Sequence, residues 1–90
     1  MQTVVADQDG LAGFISVLDR EVAALFVHPV QQGQGIGSAL LRHFPGPLSL
    51  EVFETNLKAR AFYHWHGFRQ TGERVHEETG LTLFLLALDE

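Results

Sequence analysis

Ninety residues are the length of one compact domain, and an apolar fraction of 46% excludes a wholly disordered chain, because enough surface can be buried to offset the entropy of ordering. Eleven acidic residues against six basic ones give a formal charge of -5, which argues against nucleic acid as a partner, since that role needs clustered Lys and Arg to displace counterions. The absence of cysteine excludes disulfides, thiolate metal sites and a covalent thiol intermediate, and it fits a reducing compartment, so the cytoplasm is the expected location.

In chain order, Val4, Val5 and Ala6 precede Asp7-Gln8-Asp9-Gly10, and residues 11–18 are rich in strand formers, so the chain opens on a predicted hairpin. Asp19-Arg20 is the next turn. Residues 21–28 (EVAALFVH) form a nearly continuous apolar strand stopped by Pro29; apolarity on both faces predicts a central strand covered on each side. Residues 31–37 (QQGQGIG) are too glycine-rich for a strand, and Ile36, Leu40, Leu41 and Phe44 recur at helical spacing up to the stop at Pro45-Gly46-Pro47. A strand over 48–53 follows. Asn56 caps a second helix running through His66, and Gly67 sits where a left-handed C-cap belongs. Residues 68–75 and 81–88 make a terminal hairpin around Glu77-Glu78-Thr79-Gly80. The order is β-β-β-α-β-α-β-β, a single α/β (α+β) domain over 1–90. The longest apolar run, 81–88, is far below the ~20 residues of a membrane span. The N-terminus lacks the basic start of a signal peptide.

A strand, a glycine-rich loop and a helix start constitute an anion site: the first turn of a helix has unsatisfied N–H groups, and glycines let a phosphate approach the backbone. The alternative is a flexible turn. Two nucleotide motifs fail. Ile36-Gly37-Ser38 lacks the lysine of a phosphate-binding P-loop. The dinucleotide fingerprint finds Ser38 or Leu40 in its last glycine slot.

The segment Gln32-Gly33-Gln34-Gly35-Ile36-Gly37, preceded by Leu25-Phe26-Val27-His28-Pro29, resembles the Gln/Arg-x-x-Gly-x-Gly/Ala signature of the GNAT superfamily of acetyl-CoA-dependent N-acetyltransferases. A second block, Asn56-x-x-Ala59-x-x-Phe62-Tyr63-x-x-x-Gly67-Phe68, is similar to that family as well. The resemblance covers residues 11–88 and implies a mixed, largely antiparallel sheet with two helices. It implies an N-acetyltransferase that moves an acetyl group from acetyl-CoA to a primary amine by direct attack in a ternary complex. Cofactor contacts are implied at Leu25, Phe26 and Val27, at Gln32, Gly33, Gln34, Gly35, Ile36, Gly37 and Ser38, and at Asn56, with the Val27 N–H offered to the thioester oxygen and Asn56 bonded to the pantetheine arm. Two departures stand out. The chain starts at what looks like the family's second element, without the usual first strand and helix pair. Glutamines also stand where the family's loop often has arginine, so pyrophosphate binding leans on backbone N–H groups, with Arg42, Lys58 or Arg60 as distant help.

Acetyl transfer needs a neutral amine, donors for the developing oxyanion and a proton for the departing thiolate. Glu21, eleven residues before Gln32, resembles the family's strand glutamate acting as general base, and burial beside an apolar strand would raise its pKa. It equally reads as a charged residue closing the Asp19-Arg20 turn. Tyr63 occupies the family's tyrosine slot as acid to the sulfur, seven residues from Asn56 and hence on the same helix face; the alternatives are core packing for Tyr63 and an N-cap for Asn56. His64 and His66 face different ways on a helix, so no metal is expected. A non-catalytic CoA-binding or protein-interaction module is the rival function. A homodimer is expected, because the first hairpin leaves a sheet edge and part of a face open to a second copy.

Overall fold

The computed structural model describes residues 1–7 and 10–89, so the Gln8-Asp9 part of the first expected turn lies outside the described residues. Among the described residues, six strands and two α helices run in the order β-β-β-α-β-α-β-β, as the sequence predicts, and fall into two compact units, 1–45 and 46–90.

In the first unit, β1 (Gln2–Asp7), β2 (Leu11–Leu18) and β3 (Glu21–Val27) form an antiparallel meander. Asp19 and Arg20 both take positive φ (50° and 66°) between the paired residues Leu18 and Glu21, the two-residue geometry whose twist matches that of the flanking strands. The helix α1 (Ile36–Leu41) packs against all three strands, with Ile36, Leu40 and Leu41 buried, as are Ile15, Val17 and Val22 of the sheet. It is shorter than the periodicity to Phe44 suggests. His43 N–H bonds to Leu40 C=O (3.1 Å) and Phe44 N–H to Leu41 C=O (3.0 Å), a 3₁₀ tightening that fits the bias of the residue before Pro45 away from α geometry.

The expectation that β3 is covered on both faces is corrected: Ala23, Ala24 and Phe26 are exposed. There are two physical reasons. A bulge inserts Ala23 between Val22, paired with Val17, and Ala24, paired with Ser16, and so shifts the inward and outward alternation of the strand. In addition, α1 is the one α helix of this unit among the described residues, and it serves a single sheet face. The other face carries Val5, Phe14, Leu18 and Phe26, of which Val5 is 58%, Leu18 47% and Phe26 39% exposed.

Gly13 marks where β2 and β3 come closest. A Cβ there would run into the carbonyl oxygen of Phe26 and lie 3.2 Å from Val27 Cα; both are backbone atoms with no rotamer to yield. We expect Gly13→Ala to destabilise the protein by about 1–3 kcal/mol, read as a lower urea midpoint at unchanged slope, because the strands must part to admit it. An unchanged midpoint would show that the pair separates freely.

In the second unit, β4 (Leu48–Phe53), β6 (Thr82–Leu88) and β5 (Arg69–Val75) pair antiparallel, with β6 between the other two. The helix α2 (Leu57–Trp65) lies between β4 and β5 in sequence. Its ends follow the sequence signals: Asn56 Oδ1 accepts from Ala59 N–H (3.2 Å), and Gly67 takes φ 90° just past the C-cap. Leu50, Val52, Tyr63, Phe68, Leu83, Phe84 and Leu86 are buried. Thr79 and Gly80 close the last hairpin, where Gly80 N–H bonds to His76 C=O (2.8 Å) and Gly80 has φ 73°.

Candidate active site

The glycine loop begins where β3 ends. His28 Nδ1 accepts from Val30 N–H (3.3 Å) and thereby caps a single 3₁₀ turn, Pro29–Gln31. Gln32 Nε2 then reaches back and donates to the Val27 carbonyl (3.1 Å), so the first residue of the glycine signature is tied to the strand end. This link had no signal in the sequence, since only the turn through Pro29 brings the side chain back five residues. Gly33 and Gly35 take φ 86° and 77°, and a Cβ at either would meet nothing within 4 Å, so glycine is required there by backbone conformation and the space beside the loop is open. Gly35 is the N-cap of α1. The first bond of the helical ladder is Ala39 N–H to Gly35 C=O (3.0 Å), which leaves the amides of Ile36 and Gly37 ahead of it. With six residues, α1 supplies little macrodipole, so an anion at this loop is held by local N–H groups.

The strand supplies a second row of donors. His28 N–H bonds to Ala12 C=O (2.7 Å), and Phe26 pairs with Phe14. By antiparallel alternation, the N–H groups of Leu25 and Val27 point to the edge of β3 away from β2. The Val27 carbonyl bonded by Gln32 lies on that same edge, so the structure brings Leu25, Val27 and the glycine loop together. Glu21 is not brought to them. It stands exposed at the far end of β3, about 13 Å along the strand from Leu25 and about 20 Å from Val27 at the usual rise per residue. The burial that the apolar run implied for this carboxylate is absent.

In the second unit, Asn56 and Tyr63 share one face of α2 as expected, and Asn56 is the N-cap. Tyr63 is 8% exposed, with its ring edge-on to Phe62 and Phe68, both at 5.3 Å between centroids. Burial pushes its phenol up to about 12. The sign follows: an acid whose folded pKa lies above its unfolded value leaves stability intact below about pH 10, and stability falls as the unfolded state ionises between about pH 10 and 12. We expect wild type to lose about 2–3 kcal/mol more than Tyr63→Phe across that window in urea unfolding. Tyr63 is the one tyrosine of the chain, so tyrosinate absorbance reads its titration directly; a midpoint near 10 would overturn the expectation.

The acetyltransferase (GNAT) domain family matches residues 2–70, which include both the Gln32–Gly37 loop and the Asn56 to Tyr63 block, and the chain belongs to that family. It is 39% identical over 88 residues to the peptidyl-lysine N-acetyltransferase YjaB of Salmonella typhimurium, covering 93% of this chain and 60% of that protein. It is 35% identical to the peptidyl-lysine N-acetyltransferase YiaC of Escherichia coli, covering 96% and 62%. The solution structure of apo-form YjaB from Escherichia coli superposes with a TM-score of 0.83 at 31% identity, covering 94% of this chain and 63% of that one. The chain thus spans about 60% of the length of the curated relatives it matches. Its family uses acetyl-CoA as co-substrate. Among the described residues, no helix is long and apolar enough to cross a membrane, and no three His, Asp or Glu side chains gather as a metal-ligand set.

Proposed function

We propose that the chain transfers the acetyl group of acetyl-CoA to a primary amine, with the side chain of a peptidyl lysine as the acceptor class. The observation that carries this reading is the family match across 2–70, which spans both signature blocks, and the acceptor class is that of the two peptidyl-lysine N-acetyltransferases the chain resembles.

In this reading the amides of Gly33 to Gly37 hold the pyrophosphate, and the Leu25 and Val27 N–H groups on the edge of β3 away from β2 hold the thioester end. Phe26 and Ser38 flank these contacts, Gln34 sits in the loop, and Asn56 bonds the pantetheine arm through the amide nitrogen left over from capping. The neutral amine attacks the thioester carbonyl carbon, a C–N bond forms and the C–S bond breaks. The sulfur leaves with the bonding pair and is met by the Tyr63 hydroxyl. One proton leaves the nitrogen as the amide forms and one is gained by the thiolate, so the amine and acetyl-CoA give the amide and CoA. Glu21 is too far along β3 for direct contact with this edge, so the acceptor ammonium loses its proton to solvent before the amine attacks. Glu21→Gln should therefore leave the pH–rate profile as in wild type, and an alkaline shift would restore Glu21 as the base.

Acetyl-CoA titration, with free CoA release followed in the presence of a lysine peptide as acceptor, tests the whole reading. Binding with turnover supports it. Binding without turnover on a panel of amines leaves the CoA-binding module in its place, and no heat or thermal shift at about millimolar acetyl-CoA defeats both.

A further inference from the structure

The second unit has a groove of about 720 Å³, within the ~300–1,000 Å³ typical of small-molecule sites, that the proposed chemistry does not use. Its apolar lining comes from Leu57 and Ala61 of α2, which are exposed, and from Phe84 and Leu86 of β6, which are nearly covered. Its walls carry Arg60 and His64 of α2 and Arg69 of β5. The helical face is different from the catalytic one. At about 100° per residue, Leu57, Arg60, Ala61 and His64 share a face roughly 120° around α2 from that of Asn56, Ala59 and Tyr63.

The charge of the groove runs against that of the protein. The chain has eleven acidic and six basic residues, yet two of its arginines and one histidine line this groove and, among the described residues, no Asp or Glu does. Arg60 is held in place: its guanidinium lies 4.8 Å over the centroid of the Phe84 ring, and one N–H donates to the Glu54 carbonyl (2.8 Å). A guanidinium has five N–H donors in a fixed fork, so most of its capacity remains for an acceptor. Arg69 donates to the Asp89 carboxylate at 2.8 and 3.0 Å in an exposed pair, so this wall already binds a carboxylate. An exposed pair of this kind is worth little, which lets a ligand carboxylate share or replace Asp89.

We propose that this groove is a binding site for a small amphipathic organic anion, an aromatic carboxylate whose ring packs against Leu57 and Ala61 beside the stack of Arg60 on Phe84 and whose carboxylate meets Arg60 and Arg69. The ring covers exposed apolar surface next to an already stacked cation, and the carboxylate takes the bidentate geometry that arginine favours. Arg60, which the sequence offers as distant help for the pyrophosphate, is stacked on Phe84 and lines this groove, and none of the site's residues belongs to the glycine loop or to the Asn56 and Tyr63 face.

The probe is 2-naphthoate, with neutral 2-naphthamide as its isosteric control, followed by amide chemical shifts of the intact protein. The expected dissociation constant is about a millimolar or lower, what a ligand of roughly a dozen heavy atoms reaches at ordinary ligand efficiency. Shifts should centre on Ala61, His64, Gln70 and Leu86, the amide should bind at least about tenfold more weakly, and saturating CoA should leave the naphthoate affinity unchanged. Arg69→Gln, at an exposed position where folding is not at stake, should weaken binding severalfold. No shifts at about ten times the expected constant, equal binding of the amide, or shifts that move to Gly33 through Gly37 and vanish with CoA would each overturn the proposal.

Discussion

We expect Gly35→Glu to cut acetyl-CoA affinity by at least about a hundredfold while leaving the protein folded. Gly35 sits at φ 77° as the N-cap of α1, and a Cβ there meets nothing within 4 Å, so the chain itself has room for the new side chain. The left-handed conformation costs about 1–2 kcal/mol for a residue with a Cβ, enough to lower stability without unfolding a domain of ordinary margin. The large effect falls on the ligand. In the proposed reading the loop amides are its anion donors, and a carboxylate placed among them would satisfy those donors and repel the pyrophosphate. Affinity measured by calorimetry should fall at least about a hundredfold, whereas Gly35→Ala, with the same backbone strain and no charge, should lose about tenfold or less. Unchanged affinity in folded Gly35→Glu would place the cofactor elsewhere on the protein.

The element order was legible because the turns carry their own chemistry. Pro29 stops β3, Pro45-Gly46-Pro47 stops the first helix region, and Gly67 and Gly80 supply the left-handed residues that a helix end and a hairpin require. Two features were hidden. The bulge at Ala23 depends on how β3 registers against β2, and a run of apolar residues looks the same whether its alternation is shifted or not. Gly13 reads as a weak spot in a strand until the approach of the Phe26 carbonyl shows that any side chain there must part the two strands.

The site divided in the same way. Asn56 and Tyr63 share a helix face by simple periodicity, and the glycine spacing announces the loop. Glu21 was placed by its distance from Gln32 in sequence, which says nothing of how far apart a strand holds the two ends; seven extended residues put it well away from Val27. The stacking of Arg60 on Phe84 joins residues distant in sequence through tertiary packing alone, so the cationic groove had no local pattern to reveal it.

Tyr63→Phe should lower kcat by about ten- to a thousandfold, the range of a positioned proton donor, while changing the KM for acetyl-CoA far less. The substitution is a clean one. The ring is buried against Phe62 and Phe68, and phenylalanine fills the same volume, so only the hydroxyl is removed. With its pKa raised to about 12, that hydroxyl is fully protonated at neutral pH and available as a donor. The same shift limits what it gives: an ordinary thiol has a pKa of about 8.5, so complete proton transfer to the thiolate runs uphill, and the main contribution is a hydrogen bond that strengthens as charge builds on sulfur. Such a bond acts in the transition state and not in the ground state, which is why the loss appears in kcat. Its dependence on the leaving group gives a second readout. An acetyl thioester of an acidic aryl thiol needs less help at sulfur, so the penalty of Tyr63→Phe should shrink with that donor. Equal rates for wild type and mutant with acetyl-CoA, or a penalty that ignores the acidity of the leaving thiol, would return Tyr63 to a packing role.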